Sequence, residues 1–286
     1  MLMVDRLGKR YPNFSLQDVS FELQPGFITG FIGVNGAGKT TTLKAMLNIV
    51  RPDAGSVTFR GRDLHTHEAK AKQQIGFMLG PIDVYPKHQV RTVVDVYRRF
   101  YDRWDGRTFA GYLERFGIDD RKKISELSTG MRVKLGIAMA LSHGAQLIVL
   151  DEPTSGLDPV ARDELLDVLH EVVEDGERSV LFSTHITSDL DKCAHFVIYI
   201  RGGQIIANDT KDDLIDGHRL VRGTHAELTD DLRHQLIGHR TDPSGFSGLA
   251  RTSDLDGLAG RVRAERPNLE DLMLHYDLEE PRQETS

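Results

Sequence analysis

Gly33-Val34-Asn35-Gly36-Ala37-Gly38-Lys39-Thr40-Thr41 is the most informative segment of this chain. It fits the phosphate-loop pattern G-x-x-x-x-G-K-[ST] without a mismatch. Residues 27–32 before it are apolar and β-prone, and residues 42–47 after it have the composition of a helix. An ordinary glycine-rich turn between strand and helix is the alternative. The Lys-Thr pair at the required place favours a phosphate-binding loop instead.

The residue types in this loop indicate what it binds. Glycines let successive backbone N–H groups turn inward onto phosphate oxygens, and the following helix adds its free N–H donors and positive dipole end. Lys39 is placed to reach the β- and γ-phosphates, and the Thr40 hydroxyl is placed to ligate magnesium. We therefore expect a nucleoside triphosphate with Mg²⁺. The predicted binding residues are Gly33, Asn35, Gly36, Ala37, Gly38, Lys39, Thr40 and Thr41.

Composition narrows the class of protein. The chain has 286 residues, 39% of them hydrophobic and 28% charged, which is typical of a soluble globular protein. Its net charge of −7 argues against nucleic acid as a main partner. A single cysteine, Cys193, excludes an internal disulfide framework. No apolar run approaches the roughly 20 residues that span a bilayer, and the N-terminus lacks a signal-peptide core. We expect any membrane part to belong to another chain.

Strand and helix signals alternate along the sequence, which predicts an α/β core. Before the loop we expect short strands with turns at Gly8, 12–13 and 25–26. Later strands are expected at 56–59, 75–79, 147–150, 179–183, 194–200 and 204–207, and helices within about 90–145 and at 159–173. From about residue 218 the chain becomes more polar, with a last helix opening at 267–273 and a frayed tail at 279–286.

The apolar run 147–150 ends in Asp151-Glu152. Ligands of parallel sheets bind at the carboxyl ends of the strands, so these carboxylates should lie near the phosphate loop. We expect Asp151 to hold magnesium, through water, and Glu152 to act as the general base toward the attacking water. A surface acidic pair that merely caps a strand is the alternative, and the phosphate loop disfavours it.

Four segments of the sequence occur in an order that is typical of a known protein family. They are the loop at 33–41, Leu127-Ser128-Thr129-Gly130-Met131, Asp151-Glu152-Pro153-Thr154-Ser155-Gly156-Leu157-Asp158, and Ser183-Thr184-His185. Together they resemble the ATP-binding subunit of an ATP-binding cassette (ABC) transporter over about residues 1–215. The resemblance implies a P-loop ATPase of the ABC type with a parallel-sheet core, an antiparallel β subdomain and a helical subdomain at about 81–145. We expect an ATP-binding domain at 1–217 and a small α+β extension at 218–286.

The resemblance also implies roles for five residues outside the loop. Ser128 and Gly130 match the family's LSGGQ signature, which binds the γ-phosphate held by the opposite subunit; Thr129 and Met131 depart from it. Asp158 resembles an aspartate that reaches across the dimer, and His185 the switch histidine. Tyr11 resembles the aromatic that stacks on adenine. Each of three residues also has a purely structural interpretation. Ser128 and Asp158 are good helix N-caps, and Tyr11 fits a local core.

One position departs from the family. After residues 75–79 the family usually has a glutamine that contacts magnesium and signals to the membrane subunit, whereas this chain has Gly80. Gln73, Gln74 and Gln89 lie at the wrong offsets. Glycine offers no side-chain oxygen. Water or a neighbour such as Asp83 replaces it, or the coupling differs.

The resemblance is greatest to bacterial exporters of the antibiotic or multidrug type. It implies ATP with Mg²⁺, a dimer with an identical or related ATPase subunit, and a separate integral membrane permease contacted by residues 80–105. It places the chain in the cytoplasm, on the inner face of the cell membrane. A nucleotide-gated regulatory protein with slow or absent hydrolysis is the second reading. A soluble cassette acting on nucleic acid or ribosomes is the third, and the acidic balance disfavours it.

Overall fold

The computed structural model describes residues 1–257 and 262–279. Its strands are β1 (Leu2–Tyr11), β2 (Phe14–Leu23), β3 (Ile28–Ile32), β4 (Ala54–Phe59), β5 (Arg62–Asp63), β6 (Ile75–Met78), β7 (Leu147–Asp151), β8 (Ser179–Thr184), β9 (Phe196–Arg201), β10 (Gln204–Thr210), β11 (His218–Gly223), β12 (Ile237–Asp242), β13 (Gly245–Arg251) and β14 (Arg263–Glu265). Its helices are α1 (Lys39–Met46), α2 (Glu68–Lys72), α3 (Val90–Tyr97), α4 (Gly106–Arg115), α5 (Thr129–Leu141), α6 (Pro159–Val173), α7 (Thr187–Cys193), α8 (Lys211–Asp216), α9 (Asp230–Gln235) and α10 (Leu269–Leu278).

A central sheet forms the core, with its strands in the order β10-β9-β3-β8-β7-β6. The strands from β9 to β6 pair in parallel, and β10 closes the edge as an antiparallel hairpin with β9. Every residue of β3, β7 and β8 is buried. Continuous apolar runs suit strands that are covered on both faces, so the predicted α/β core is confirmed.

A second sheet, ordered β2-β1-β4-β5, is antiparallel and lies beside α1. The predicted turn at Gly8 is wrong, because Gly8 lies inside β1. The strand shifts register there instead, between Leu7 and Lys9 against β2 and between Asp5 and Gly8 against β4. Arg6 has a φ of 47°, so the chain forms a bulge rather than a turn. The turns at 12–13 and 25–26 separate β1, β2 and β3 as predicted.

The helical part spans α3, α4 and α5. Its apolar residues meet in the same buried cluster as the core sheet, including Val94, Phe109, Phe116 and Leu135. Helix α5 packs on β6, so the helical part is joined directly to the central sheet. The helical signal at 90–145 was one continuous interval in the sequence, and the structure divides it into separate helices.

A third sheet, ordered β12-β13-β11-β14, begins at His218, after α8. Helix α10 covers β12 and also packs on α7 of the core. Its N-cap is Asn268, whose side chain accepts from the Asp271 N–H, one residue after the predicted opening at Pro267. The predicted tail at 279–286 lies outside the described residues from 280 onward.

Candidate nucleotide site

The phosphate loop connects the buried end of β3 to the first turn of α1. Gly36 and Gly38 have φ angles of +85° and +115°, which favour glycine. A β-carbon on Gly33 would lie 2.3 Å from the Ile200 carbonyl oxygen, so the backbone approaches β9 too closely for a side chain. Gly38 caps α1 without a side-chain hydrogen bond. The first N–H groups of α1 therefore remain available for an anion.

Lys39 is 94% buried, and its position is fixed on both sides. The ammonium Nζ donates to the Gly33 carbonyl over 2.7 Å and lies 3.3 Å from Glu152 Oε1. Burial of a lysine requires such partners, because a desolvated ammonium without them is costly. The ammonium thus stands between the loop backbone and the carboxylate after β7.

Asp151 ends β7 beside the loop, as the sequence predicted. The Thr40 hydroxyl donates to Asp151 Oδ2 over 2.6 Å, and the Ser183 hydroxyl donates to Asp151 Oδ1. Hydroxyl and carboxylate oxygens are the ligands that Mg²⁺ prefers, and magnesium commonly takes only one or two protein groups together with substrate phosphates. Thr40 and Asp151 therefore fit a magnesium site that also uses nucleotide oxygens.

Glu152 and His185 are brought together at the next positions. His185 Nδ1 and Glu152 Oε2 are 2.8 Å apart, and both side chains are partly exposed. Glu152 has a φ of 49°, an uncommon conformation for a residue other than glycine. Backbone strain of this kind persists where the surroundings enforce it, often at active sites. Here the Glu152 N–H donates to the Ser183 carbonyl over 3.0 Å, which holds the turn.

An open cleft of about 660 Å³ lies over the loop. It is lined by Asn13, Phe14, Val34, Asn35, Gly36, Gly38, Lys39, Thr40, Thr41, Glu152, Ser155 and His185. Most of the predicted loop residues and both polar residues of the Glu152–His185 pair are therefore in one cavity. The volume of this cleft and its hydrogen-bond donors suit a polyphosphate chain.

Ser183 belongs to the segment 183–185, but the sequence assigned it no role in the site. Its hydroxyl binds Asp151 and accepts from the Glu152 N–H over 3.3 Å. The available signal was strand register: Asp151 of β7 pairs with Ser183 of β8. Adjacent parallel strands place their C-terminal residues side by side, so a serine near the end of β8 should meet the carboxylate that ends β7.

Ser128, Gly130 and Asp158 do not line this cleft but lie close to one another. A β-carbon on Gly130 would lie 3.0 Å from Leu157 Cδ2, next to Asp158. Ser128 caps α5 by accepting from the Met131 N–H over 3.2 Å. We call Ser128, Gly130 and Asp158 the signature surface. It includes the capped N-termini of α5 and α6 and contributes no residue to the cleft over the chain's own phosphate loop.

Asp158 caps α6 by accepting from the Val160 and Ala161 N–H groups, each at 3.0 Å, with Pro159 in the first turn. The hydrogen bond from the Ala161 N–H, the largest influence, keeps the pKa of the Asp158 carboxyl below its usual value. Its charge therefore remains at the surface at physiological pH.

Tyr11 lies at the end of β1 and is 44% exposed. The Lys9 ammonium is 5.8 Å from the centroid of its ring. The cleft is lined by the neighbouring Asn13 and Phe14. The aromatic ring nearest the phosphate loop in this turn is therefore that of Phe14.

Gly80 has a φ of +112°, which a glutamine would adopt only with strain, although a β-carbon there would have open space. Asp83, which could replace the missing glutamine side chain, forms an ion pair with Arg132 Nη1 at 2.9 Å. Gln73 instead donates to the Phe100 carbonyl over 2.6 Å. Gly80 thus gives the loop after β6 its own backbone course, and both Asp83 in that loop and Gln73 before β6 already have partners.

These contacts define a nucleoside-triphosphate site of the P-loop type, and comparisons with known proteins agree. The family model described as ABC transporter matches residues 16–155. The chain is 32% identical over 289 residues to Nod factor export ATP-binding protein I of Burkholderia thailandensis, covering 94% of each chain. A solved ATP binding subunit of an ABC transporter shares 26% identity with a TM-score of 0.68, over 75% of this chain and 91% of that one.

The fold of a dimeric, post-hydrolysis ATP-binding cassette bound to ADP and Pi is also similar, at 19% identity and a TM-score of 0.66, over 73% of this chain and 98% of that one. This chain belongs to the ABC transporter family. Within it, the chain is an ATP-binding subunit and an ATPase. No helix in residues 1–257 and 262–279 combines the length and apolarity needed to cross a bilayer.

Proposed function

We propose that the chain is the ATPase subunit of an exporter and that it drives a separate integral membrane permease from the cytoplasmic face of the membrane. The observation that carries the proposal is the joined set Lys39, Thr40, Asp151, Glu152 and His185 at the phosphate loop. Export is supported by the name of the Burkholderia relative, a Nod factor export protein.

The predicted ATP-binding residues form two sets, and this chain brings only one of them into the cleft. Phosphate-loop donors face the cleft, whereas the signature surface lies elsewhere on the same chain. Two copies, or this chain and a relative, would close head to tail so that each ATP lies between the phosphate loop of one and Ser128 and Gly130 of the other. ATP binds the closed state better and shifts the equilibrium toward it.

In this arrangement the protein accelerates hydrolysis mainly by positioning the reacting groups and neutralising their charge. Glu152 accepts a proton from the water that attacks the γ-phosphorus, while the bond to the leaving ADP oxygen breaks. His185 holds the Glu152 carboxylate through the 2.8 Å contact, and Lys39 donates to the phosphate oxygens. Bound magnesium, held by Thr40 and Asp151, would neutralise charge on the β- and γ-phosphates.

The experiment replaces the base. We expect Glu152→Gln to retain ATP binding, to lose phosphate release and to accumulate an ATP-dependent dimer, because the amide cannot accept the proton. Calorimetry, phosphate-release kinetics and light scattering measure the three quantities. Glu174→Gln is the matched control, since Glu174 is exposed at the end of α6. Unchanged turnover in Glu152→Gln would refute the assignment of the base.

Gly80 favours a second candidate, a nucleotide-gated switch that hydrolyses ATP slowly. The residue supplies no side-chain oxygen to magnesium, and Asp83 is already paired with Arg132. The turnover number of the wild-type chain with Mg–ATP, measured alone and with its permease, separates a fast energising subunit from a slow switch.

A further inference from the structure

The hairpin between β9 and β10 lies directly against the phosphate loop. The Gly203 N–H donates to the Ala37 carbonyl over 2.9 Å. Gly33 approaches the Ile200 carbonyl so closely that a β-carbon would lie 2.3 Å away, and one on Gly38 would lie 3.3 Å from Ile200 Cδ1. The position of Ile200 and Gly203 therefore limits where the loop backbone can lie.

Arg201 follows Ile200 and points to the other face of the sheet, as successive residues of a strand do. Its Nη1 donates to the Tyr276 carbonyl and, over 2.9 Å, to the Glu279 carbonyl. These carbonyls lie in and just after the last turn of α10, where a helix leaves its acceptors unsatisfied. A guanidinium there also interacts favourably with the negative end of the helix dipole.

Helix α10 is joined to both sides of this junction. On the core side, the Tyr199 ring is 5.6 Å from the Tyr276 ring, centroid to centroid, and its hydroxyl donates to the Met273 carbonyl over 3.4 Å. On the side of the third sheet, His218 Nε2 and the Tyr276 hydroxyl are 2.8 Å apart, and His275 Nδ1 contacts the Gly238 carbonyl. The helix cannot shift without disturbing either β9 or the third sheet.

We propose that the C-terminal unit, β11 to β14 with α10, positions the phosphate loop through Arg201, so that this unit sets the affinity for nucleotide. The proposal rests on ATP binding at residues 33–41. Arg201 is a positioning residue, because it acts through Ile200 and touches neither phosphate nor magnesium ligands. Through Arg201, the C-terminal unit takes part in the ATPase cycle.

Coupling between two sites is reciprocal, so nucleotide bound at the loop must also stabilise α10. The test is hydrogen exchange of the α10 amides, 269–278, in the full chain with and without a non-hydrolysable ATP analogue and magnesium. We expect exchange in wild type to slow when the analogue binds. In Arg201→Ala this dependence should disappear and the dissociation constant should rise by about fivefold or more, the lower end of typical allosteric coupling.

Arg219→Ala is the matched control. The Arg219 guanidinium also donates to backbone carbonyls, of Asp216 and His218, but at the junction of α8 and β11 rather than at the end of α10. We expect this variant to keep both the affinity and the exchange response. Arg201→Lys retains the charge but not the guanidinium whose Nη1 contacts both carbonyls, and should fall between wild type and Arg201→Ala.

The outcomes separate this proposal from the proposed function. If calorimetry shows that wild type binds the analogue but α10 exchange does not respond, Arg201 has no positioning role. If wild type binds no nucleotide, the assignment of the phosphate loop fails together with this proposal. If Arg201→Ala does not fold, Arg201→Lys and the wild-type exchange experiment still test the proposal. Wild-type affinity and an unchanged exchange response in Arg201→Lys would show that the guanidinium is not required.

Discussion

At the scale of single residues, the nucleotide site depends on charged groups that are held by several partners each. Lys39 is held by the Gly33 carbonyl and Glu152, and Asp151 by two hydroxyls. The order of the motifs predicted that Lys39, Thr40 and Asp151 would meet. The motifs included Ser183 but assigned it no role, because a serine near the end of a strand is common and only its register against Asp151 gives it one.

Replacing Lys39 tests the phosphate contact. We expect Lys39→Ala to weaken ATP binding at least about tenfold, since a hydrogen bond to a charged group contributes about 1.5–3 kcal/mol and 1.4 kcal/mol is a factor of ten. Isothermal calorimetry with Mg–ATP measures the affinity. Lys44→Ala, in the same helix, removes a lysine without touching the loop and should bind as wild type. Wild-type affinity in Lys39→Ala would contradict the predicted role.

At the scale of helices and strands, the bounds predicted from the sequence agree best with the structure where a capping residue precedes a helix. Helix α6 begins at Pro159 after the Asp158 cap and extends to Val173, as its sequence predicted. Prediction and structure agree least in the loop after β6. Gly80 takes a left-handed conformation there, and the partners of Gln73 and Asp83, which lie in distant segments, could not be inferred from their own sequence.

The cap of α5 separates the two roles expected of Ser128. Ser128→Ala should lower the free energy of unfolding by about 1 kcal/mol and also reduce turnover, because both the cap and the phosphate donor are lost. Ser128→Asp should keep the stability, since aspartate is an equally good N-cap, yet abolish turnover because its carboxylate repels the γ-phosphate. Urea denaturation and phosphate release measure the two effects. Normal turnover in Ser128→Asp would leave only the capping role.

At the scale of the whole molecule, the features that one chain leaves exposed indicate its partners. Val84, Tyr85, Val96 and Phe100 are exposed apolar residues within the segment expected to contact the permease, at 56%, 62%, 47% and 69% exposure. Val96 and Phe100 are four residues apart across the end of α3 and its following 3-10 turn, so they lie on one face. Such residues suit a protein interface better than water.

A charge on that face tests the coupling. We expect Phe100→Asp to weaken association with the permease at least about tenfold, because a buried aromatic at an interface is commonly worth 2 kcal/mol or more. The isolated chain should keep its basal ATPase rate, as Phe100 is remote from the phosphate loop in sequence and lies outside the cleft. Co-purification from membranes, quantified per permease, is the measurement. Ile49→Asp, another exposed apolar position, should not reduce recovery of the permease.

The nucleotide chemistry and the α/β core could both be predicted from the amino-acid sequence. The phosphate loop acts through backbone N–H groups, and buried parallel strands require continuous apolar runs, so both leave signals in neighbouring residues. Contacts between residues far apart in the chain required the folded structure: Ser183 with Asp151, Gly130 with Leu157, and Arg201 with the end of α10. These contacts depend on strand register and helix packing, which bring together side chains far apart in the chain.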